Sequence, residues 1–220
     1  MFTKHAAFTS VLLAAASAFA QPGAAELRPG FTLRVYQSEW TPEFVIEPLA
    51  DQVPNVDVLR DSMNLSEPAD FGGLESNFVA SATGWFNAKT AGTYAFRLCS
   101  DDGALLSIDG KILVRNDGVH PTWCPQADVE LSEGLHALRV RMFEAVGGEV
   151  LKLEVKVPGA TEFAVVDGRW ISTEKDAARA VAPGFKKFTS HFDGHRAVLV
   201  FSKTAGFRHD SIPEGIALVR

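Results

Sequence analysis

Basic residues are in short supply: 21 lysines and arginines stand against 27 acids, for a formal net charge of −6. That balance excludes a chain-wide basic surface for nucleic-acid phosphates. Cysteine is scarcer, at two residues, and two thiols alone do not make a metal site. Neither a heptad pattern nor a Gly-X-Y repeat is present, so a coiled coil and a collagen-like fibre are excluded. Apolar runs are too short and too few for a polytopic membrane protein. No Gly-x-Ser-x-Gly elbow, Walker-type loop or other phosphate cradle occurs. What remains is a globular balance, 46% hydrophobic and 22% charged. The 18 glycines, 11 prolines and 16 phenylalanines suit many short strands joined by tight turns.

The N-terminus reads as an address. Lys4 and His5 precede an apolar stretch from Val11 to Ala20, and Ala18-Phe19-Ala20 fits the small-x-small rule of signal peptidase. The stretch is about half of the ~20 residues a spanning helix needs. We therefore expect residues 1–20 to be a signal peptide, cleaved before Gln21, and the protein to be secreted. In an oxidising compartment Cys99 and Cys124 are expected to form a disulfide, the alternative being two buried thiols.

From Phe31 to Val157 the dominant period is two. Phe31, Leu33 and Val35 alternate with polar neighbours; so do Tyr94, Phe96 and Leu98, then Leu138, Val140 and Met142, then Leu151, Leu153, Val155 and Val157. Such alternation belongs to strands buried on one face. Asp109-Gly110 lies between two apolar runs and predicts a two-residue hairpin, because both turn positions need positive φ. Ser132-Glu133-Gly134 predicts a second turn. The expectation is a mainly β protein, an antiparallel β-sandwich or barrel. Past Pro158-Gly159 the character changes. Residues 166–195 read as a linker, with helix propensity but little apolar face in 171–182. From Arg196, the run Ala197-Val198-Leu199-Val200-Phe201 suits a strand covered on both faces, and Ser211, Pro213 and Glu214 suit a helix start. One strand and one partial helix cannot bury their own apolar surface, so 196–220 reads as the beginning of a further α/β domain.

Two resemblances follow. The stretch from Tyr94 to Gly110, with Ser100-Asp101-Asp102-Gly103 and Ile108-Asp109-Gly110, resembles the centre of the protective-antigen-type module family (PA-14). The likeness continues through Gly134 to Val140 and Gly147-Gly148-Glu149, covering about residues 29–165. Val198 to Ile212, with Ser202-Lys203-Thr204-Ala205-Gly206-Phe207-Arg208-His209-Asp210, resembles the opening of the trehalose-utilisation (ThuA-like) family, an α/β doubly wound fold.

Asp101 and Asp102 carry the chemistry. Adjacent residues of a strand point to opposite faces, and an ionised carboxylate facing a core needs a partner or a cation. Two such groups at a strand end repel each other, which a hard cation such as Ca²⁺ relieves. The alternative is that both merely end a strand and hold backbone amides. The PA-14 resemblance implies more: in calcium-binding members, two adjacent aspartates joined by a cis peptide hold the ion, and the ion holds sugar hydroxyls. It places the remaining ligands in the loop from Phe143 to Glu149, with Glu144 at a position where the adhesins carry an amide and with the carbonyls of Val146 and Gly148. Glutamate there favours calcium but leaves less uncompensated positive charge for the sugar. The loop Asn116 to Trp123 would position the sugar, with Asn116, Asp117 and His120 as hydrogen-bonding candidates. Trp123 would either stack on a sugar face or cover the disulfide beside it.

Other constellations carry less. His191 and His195 flank Phe192-Asp193-Gly194, a turn rather than a helix, and so do not suit zinc. Asp102 and Asp109 do not suit a glycosidase pair, because the hairpin already accounts for Asp109. Arg208 and His209 are plausible site residues beyond a strand end, though other loops of such a pocket are not in this sequence. Three readings stay open: a calcium-assisted carbohydrate-binding module that brings an attached α/β domain to glycans, an accessory module of a sugar-active enzyme, and an adhesive or structural module without a sugar site.

Overall fold

The computed structural model describes residues 27–38, 41–48 and 52–174. They form two antiparallel sheets, with strands numbered in chain order. The larger holds β1 (Leu27–Pro29), β2 (Phe31–Gln37), β3 (Val56–Arg60), β5 (Phe78–Ala88), β7 (Ala104–Ile108), β8 (Lys111–Asn116), β10 (Gly134–Glu144) and β13 (Ile171–Glu174). The smaller holds β4 (Asn64–Leu65), β6 (Gly92–Asp101), β9 (Gln126–Leu131), β11 (Val150–Lys156) and β12 (Ala164–Val165). A short 3-10 turn, Pro68–Phe71, buries Phe71. The mainly β expectation holds.

The period-two pattern does what it predicts. Phe31, Leu33 and Val35 of β2 and Leu138, Val140 and Met142 of β10 face Tyr94, Phe96 and Leu98 of β6 and Leu151, Leu153 and Val155 of β11 in one core. Phe86 of β5 meets Tyr94 and Phe96 edge-on, with ring centroids 5.5 and 5.1 Å apart. Each buried side chain of this size contributes roughly 1.5–3 kcal/mol. Asp109 and Gly110 have φ of 48° and 77°, the hairpin geometry expected between β7 and β8. The Asp109 carboxylate is spent there, accepting from the Ala137 amide at 2.9 Å and facing His136 Nδ1 at 2.7 Å.

Two departures are informative. Strand β5 pairs with β10, β2 and β13, yet no apolar alternation announces it. Its inward positions include Ala80, Ala82 and Gly84, small because neighbours approach closely. A Cβ on Gly84 would lie 2.8 Å from Ile171. Residues 166–174, expected to be linker, belong instead to the module. Val166 and Ile171 are buried in the core, and β13 pairs with both β1 and β5. The helix propensity read over 171–182 yields at 171–174 to strand pairing, because β13 lies between β1 and β5. The segment 1–20, the rest of the expected linker with His191 and His195, and the α/β start at 196–220 lie outside the described residues.

At one end of the sandwich the chain passes twice between sheets. Strand β6 of the smaller sheet ends at Asp101, and β7 of the larger begins at Ala104. Strand β10 of the larger ends at Glu144, and β11 of the smaller begins at Val150. Asp101 pairs with Val150 and Ala104 with Met142, so the two crossings lie side by side. That register brings acids distant in sequence together.

Candidate metal centre and adjoining groove

The Asp101–Asp102 peptide bond is cis, at the corner where the chain leaves the smaller sheet. Gly103 follows because nothing larger fits: a Cβ there would lie 2.5 Å from the Phe143 ring and 2.8 Å from the Gly118 nitrogen. The Gly103 carbonyl accepts from the Phe143 amide at 2.9 Å, which docks the end of β10 against the corner.

Asp102 is 2% exposed. One of its carboxylate oxygens accepts from the His120 amide at 3.0 Å and the other from the Ala145 amide at 2.9 Å. It therefore ties the loop after β8 and the loop after β10 to the corner. The amide-holding role is real for this residue, but each oxygen keeps a second acceptor position. Asp101 is half-buried and accepts from the Thr122 hydroxyl at 3.2 Å.

Glu144 is fully buried. Its Oε2 accepts from the Asp102 amide at 3.0 Å, while its Oε1 is buried without a partner. A buried carboxylate oxygen with nothing to bind is costly and calls for a proton or a cation. Carboxylate oxygens of Asp101, Asp102 and Glu144 lie within 4.8 Å of one another. Burial pushes the Glu144 carboxyl up to about 8, and the Asp102, Asp101 and Glu149 carboxylates push it the same way against the hydrogen bond from the Asp102 amide. Glu149 is raised as well, first by burial and further by Glu75, Glu67 and Asp101. This end of the sandwich is a concentrated negative field, and its hard oxygen donors suit a cation of the calcium class. Val146 and Gly148 lie on the loop that follows Glu144, Val146 63% exposed and Gly148 with open space at its Cα.

An open groove of about 540 Å³ adjoins the acids, lined by residues 115–117 and 120–123. Within it the residues expected to meet a ligand divide into two groups. Asn116 and Asp117 are engaged in structure. The buried Asn116 amide donates to the Ser100 hydroxyl at 2.8 Å and the Trp123 carbonyl at 3.0 Å. Asp117 accepts from the Val45 amide at 2.8 Å and pairs with Arg115 at 3.5 Å. Both shape the groove rather than offering idle hydrogen bonds. Each ring nitrogen of His120 faces a backbone carbonyl, that of Pro121 at 2.9 Å or of Asn116 at 3.2 Å. Trp123 is 65% exposed, which suits a platform better than a cover for the disulfide. Its backbone is fixed by a two-bond bridge to Ser100 and by the adjoining Cys99–Cys124 disulfide.

Sequence reasoning missed three contributors here. Ser100 is buried and anchors Asn116 and Trp123; Thr122 holds Asp101; Glu149 deepens the negative field. Ser100 and Glu149 stand inside the motifs quoted above, but their roles depend on pairings that only the fold supplies.

A family model described as the PA14 domain matches residues 27–169. No curated protein matches the chain. Among solved structures, the PA14 domain of the MpAFP antifreeze protein is similar with a TM-score of 0.59 at 17% identity, covering 72% of this chain and 96% of that one. A PA14 sugar-binding domain from an RTX adhesin gives 0.56 at 16% identity over 66% and 99%. The epithelial adhesin 9 A domain from Candida glabrata, in complex with Galβ1-3GlcNAc, gives 0.52 at 14% over 72% and 95%. At these identities the likeness is one of fold. No helix among the described residues is long and apolar enough to cross a membrane.

Proposed function

The chain belongs to the PA14 domain family, and on that premise we propose that it is an exported carbohydrate-binding module whose Asp101, Asp102 and Glu144 hold a calcium ion at the foot of the Trp123 groove. The observation that carries the reading is the buried Oε1 of Glu144, left without a partner beside two further carboxylates. The carbonyls of Val146 and Gly148, on the loop that Asp102 anchors through the Ala145 amide, would complete the oxygen set. When bound, calcium supplies coordination positions that a pair of adjacent sugar hydroxyls can take in place of water. The chain's own residues do the rest. Asp102 fixes both loops, Thr122 orients Asp101, and Trp123 offers an exposed indole on which an apolar sugar face can rest. Two of the similar structures are described as sugar-binding or sugar-bound, which supports glycans as the ligand class.

Export is supported by the leader-like residues 1–20 and by the disulfide, a bond characteristic of oxidising compartments. The resemblance of residues 196–220 to a ThuA-like opening supports a module that holds an α/β domain close to glycans, raising the local concentration of any sugar that domain acts on.

The test is titration of the full chain with Galβ1-3GlcNAc and with lactose, in calcium and in EDTA, for wild type and Asp102→Asn. We expect binding in calcium that EDTA abolishes and that Asp102→Asn weakens at least tenfold. Equal binding in EDTA would refute the calcium role. No binding to these or to any glycan on an array would leave an adhesive or structural module.

A further inference from the structure

The outer face of the larger sheet carries a second groove, far from the acidic corner in character. On β10, Arg139 and Arg141 alternate with the core residues Leu138, Val140 and Met142, so both point away from the core. The register sets Arg139 across from Thr83 and Ser107, and Arg141 across from Ser81; Arg34 of β2 stands on the far side of Ser81. Three arginines thus share one face of a chain whose net charge is −6. They line a groove of about 540 Å³ together with Thr83, Trp85 and Ser107.

The groove already holds a carboxylate. Glu47 extends into it from the segment 41–48, which has no strand or helix. Arg139 reaches both Glu47 oxygens, Nη2 at 2.7 Å and Nη1 at 3.4 Å, and Arg141 Nη1 meets Oε1. The Glu47 side chain is 53% exposed, whereas that of Arg141 is 15% exposed. The Arg139 side chain is 40% exposed, so Arg141 is the fixed part of the clamp and the Glu47 carboxylate the more replaceable one. Arg139 is held further by its Nε, which donates to the Ser81 hydroxyl at 3.2 Å, and Arg34 by Asp57 at 3.2 Å. A planar guanidinium fork suits a carboxylate better than a point charge would. Around that fork the walls carry the hydroxyls of Thr83, Ser107 and Thr173, the Trp85 indole and, at the rim, one further acid, Glu174.

We propose that this groove is a second binding site, specific for carboxylate-bearing (uronate) oligosaccharides, in which Glu47 stands in for the ligand carboxylate until it is displaced. The inference is independent of the calcium reading, since none of its residues belongs to the acidic corner. Displacement is feasible because Glu47 is half-exposed on a segment without strand or helix, and a ligand carboxylate can take over the same two guanidinium groups in exchange. The groove's size suits a short oligosaccharide rather than a lone anion.

The test is binding of a galacturonate trisaccharide to the full chain in EDTA, which silences any contribution of the corner, at 50 and at 200 mM NaCl. We expect binding that weakens with salt, weakens at least tenfold in Arg139→Gln, and tightens roughly fivefold in Glu47→Gln as the internal competitor is removed. Unchanged affinity in Arg139→Gln, or weaker binding in Glu47→Gln, would overturn the proposal. So would equal binding of the neutral galactose trisaccharide, or of acetate at the same concentration. Because Glu47→Gln alters an exposed side chain, it keeps the test decisive even if Arg139→Gln fails to fold.

Discussion

The buried Glu144 carboxyl couples the fold to pH in a direction opposite to ordinary acid denaturation. In the folded chain it titrates at about 8 against an ordinary 4.5, because burial and three neighbouring carboxylates disfavour its charge. The folded state thus binds this proton more tightly than the unfolded state does. The resulting stability is fully present below pH 4.5 and is lost as pH rises towards 8. The limit is about 5 kcal/mol, since each pKa unit is worth about 1.4 kcal/mol. For a domain of this size that corresponds to a fall in Tm on the order of 10 °C between pH 5 and pH 8. The Arg97–Glu154 pair does not confound the window. Although burial works to raise Glu154, hydrogen bonds and charge from Lys152 and Arg97 leave it lowered, so its stabilisation is lost only as pH falls through the acid range. The assay is thermal melting in EDTA from pH 5 to pH 8, for wild type and Glu144→Gln. Glutamine keeps an acceptor for the Asp102 amide and cannot ionise, so its profile should be flatter and its Tm at pH 8 higher. Excess calcium at pH 8 should raise the Tm of wild type more than that of the variant, whose neutral amide is the weaker ligand. Parallel profiles for the two proteins in EDTA would refute the reasoning.

Further outcomes follow from the same structure. Replacing Cys99 and Cys124 together with serine should cost about 3–4 kcal/mol, the loop-closure value for a sequence separation of 25, read as a lower midpoint in urea. Gly103→Ala should destabilise by about 1–3 kcal/mol, because its Cβ would meet the Gly118 backbone; calcium retention measured on the same samples should fall with it. Trp123→Ala should leave the urea midpoint within about 0.5 kcal/mol of wild type, its side chain being exposed, while weakening glycan binding by about 1–2 kcal/mol in calorimetry.

How much of this was legible in the sequence depended on which physical signal each element carried. Strands β2, β6, β10 and β11 announced themselves because one face is filled by large apolar side chains. The Asp109–Gly110 hairpin did so because two adjacent positive φ values demand such residues. Strand β5 was silent for the converse reason: its inward Ala80, Ala82 and Gly84 are small to admit neighbours, and small residues leave little periodic contrast. Strand β13 was hidden by the helix propensity of the residues that follow it, a local preference that pairing between β1 and β5 overrides. At the site, Asp101 and Asp102 could be singled out as a charge conflict without a fold. That Glu144 shares the conflict came from family register, and its orphaned oxygen only from packing. The engagement of Asn116 and Asp117 was not legible at all, because their partners Ser100 and Val45 come from β6 and from the loop after β2. The arginine groove was equally hidden, since Arg34, Arg139 and Arg141 meet only through the β2–β5–β10 register.

The central claim is that Asp101, Asp102 and Glu144 form one cation site. Its most direct test is equilibrium dialysis of the full chain against calcium at pH 8, with bound metal counted per chain for wild type, Asp102→Ala and Glu144→Ala. The account predicts one ion per wild-type chain, lost or weakened at least tenfold in both variants while each still melts cooperatively. A wild-type chain that retains no calcium under these conditions, or variants that retain it as tightly as wild type, would contradict it.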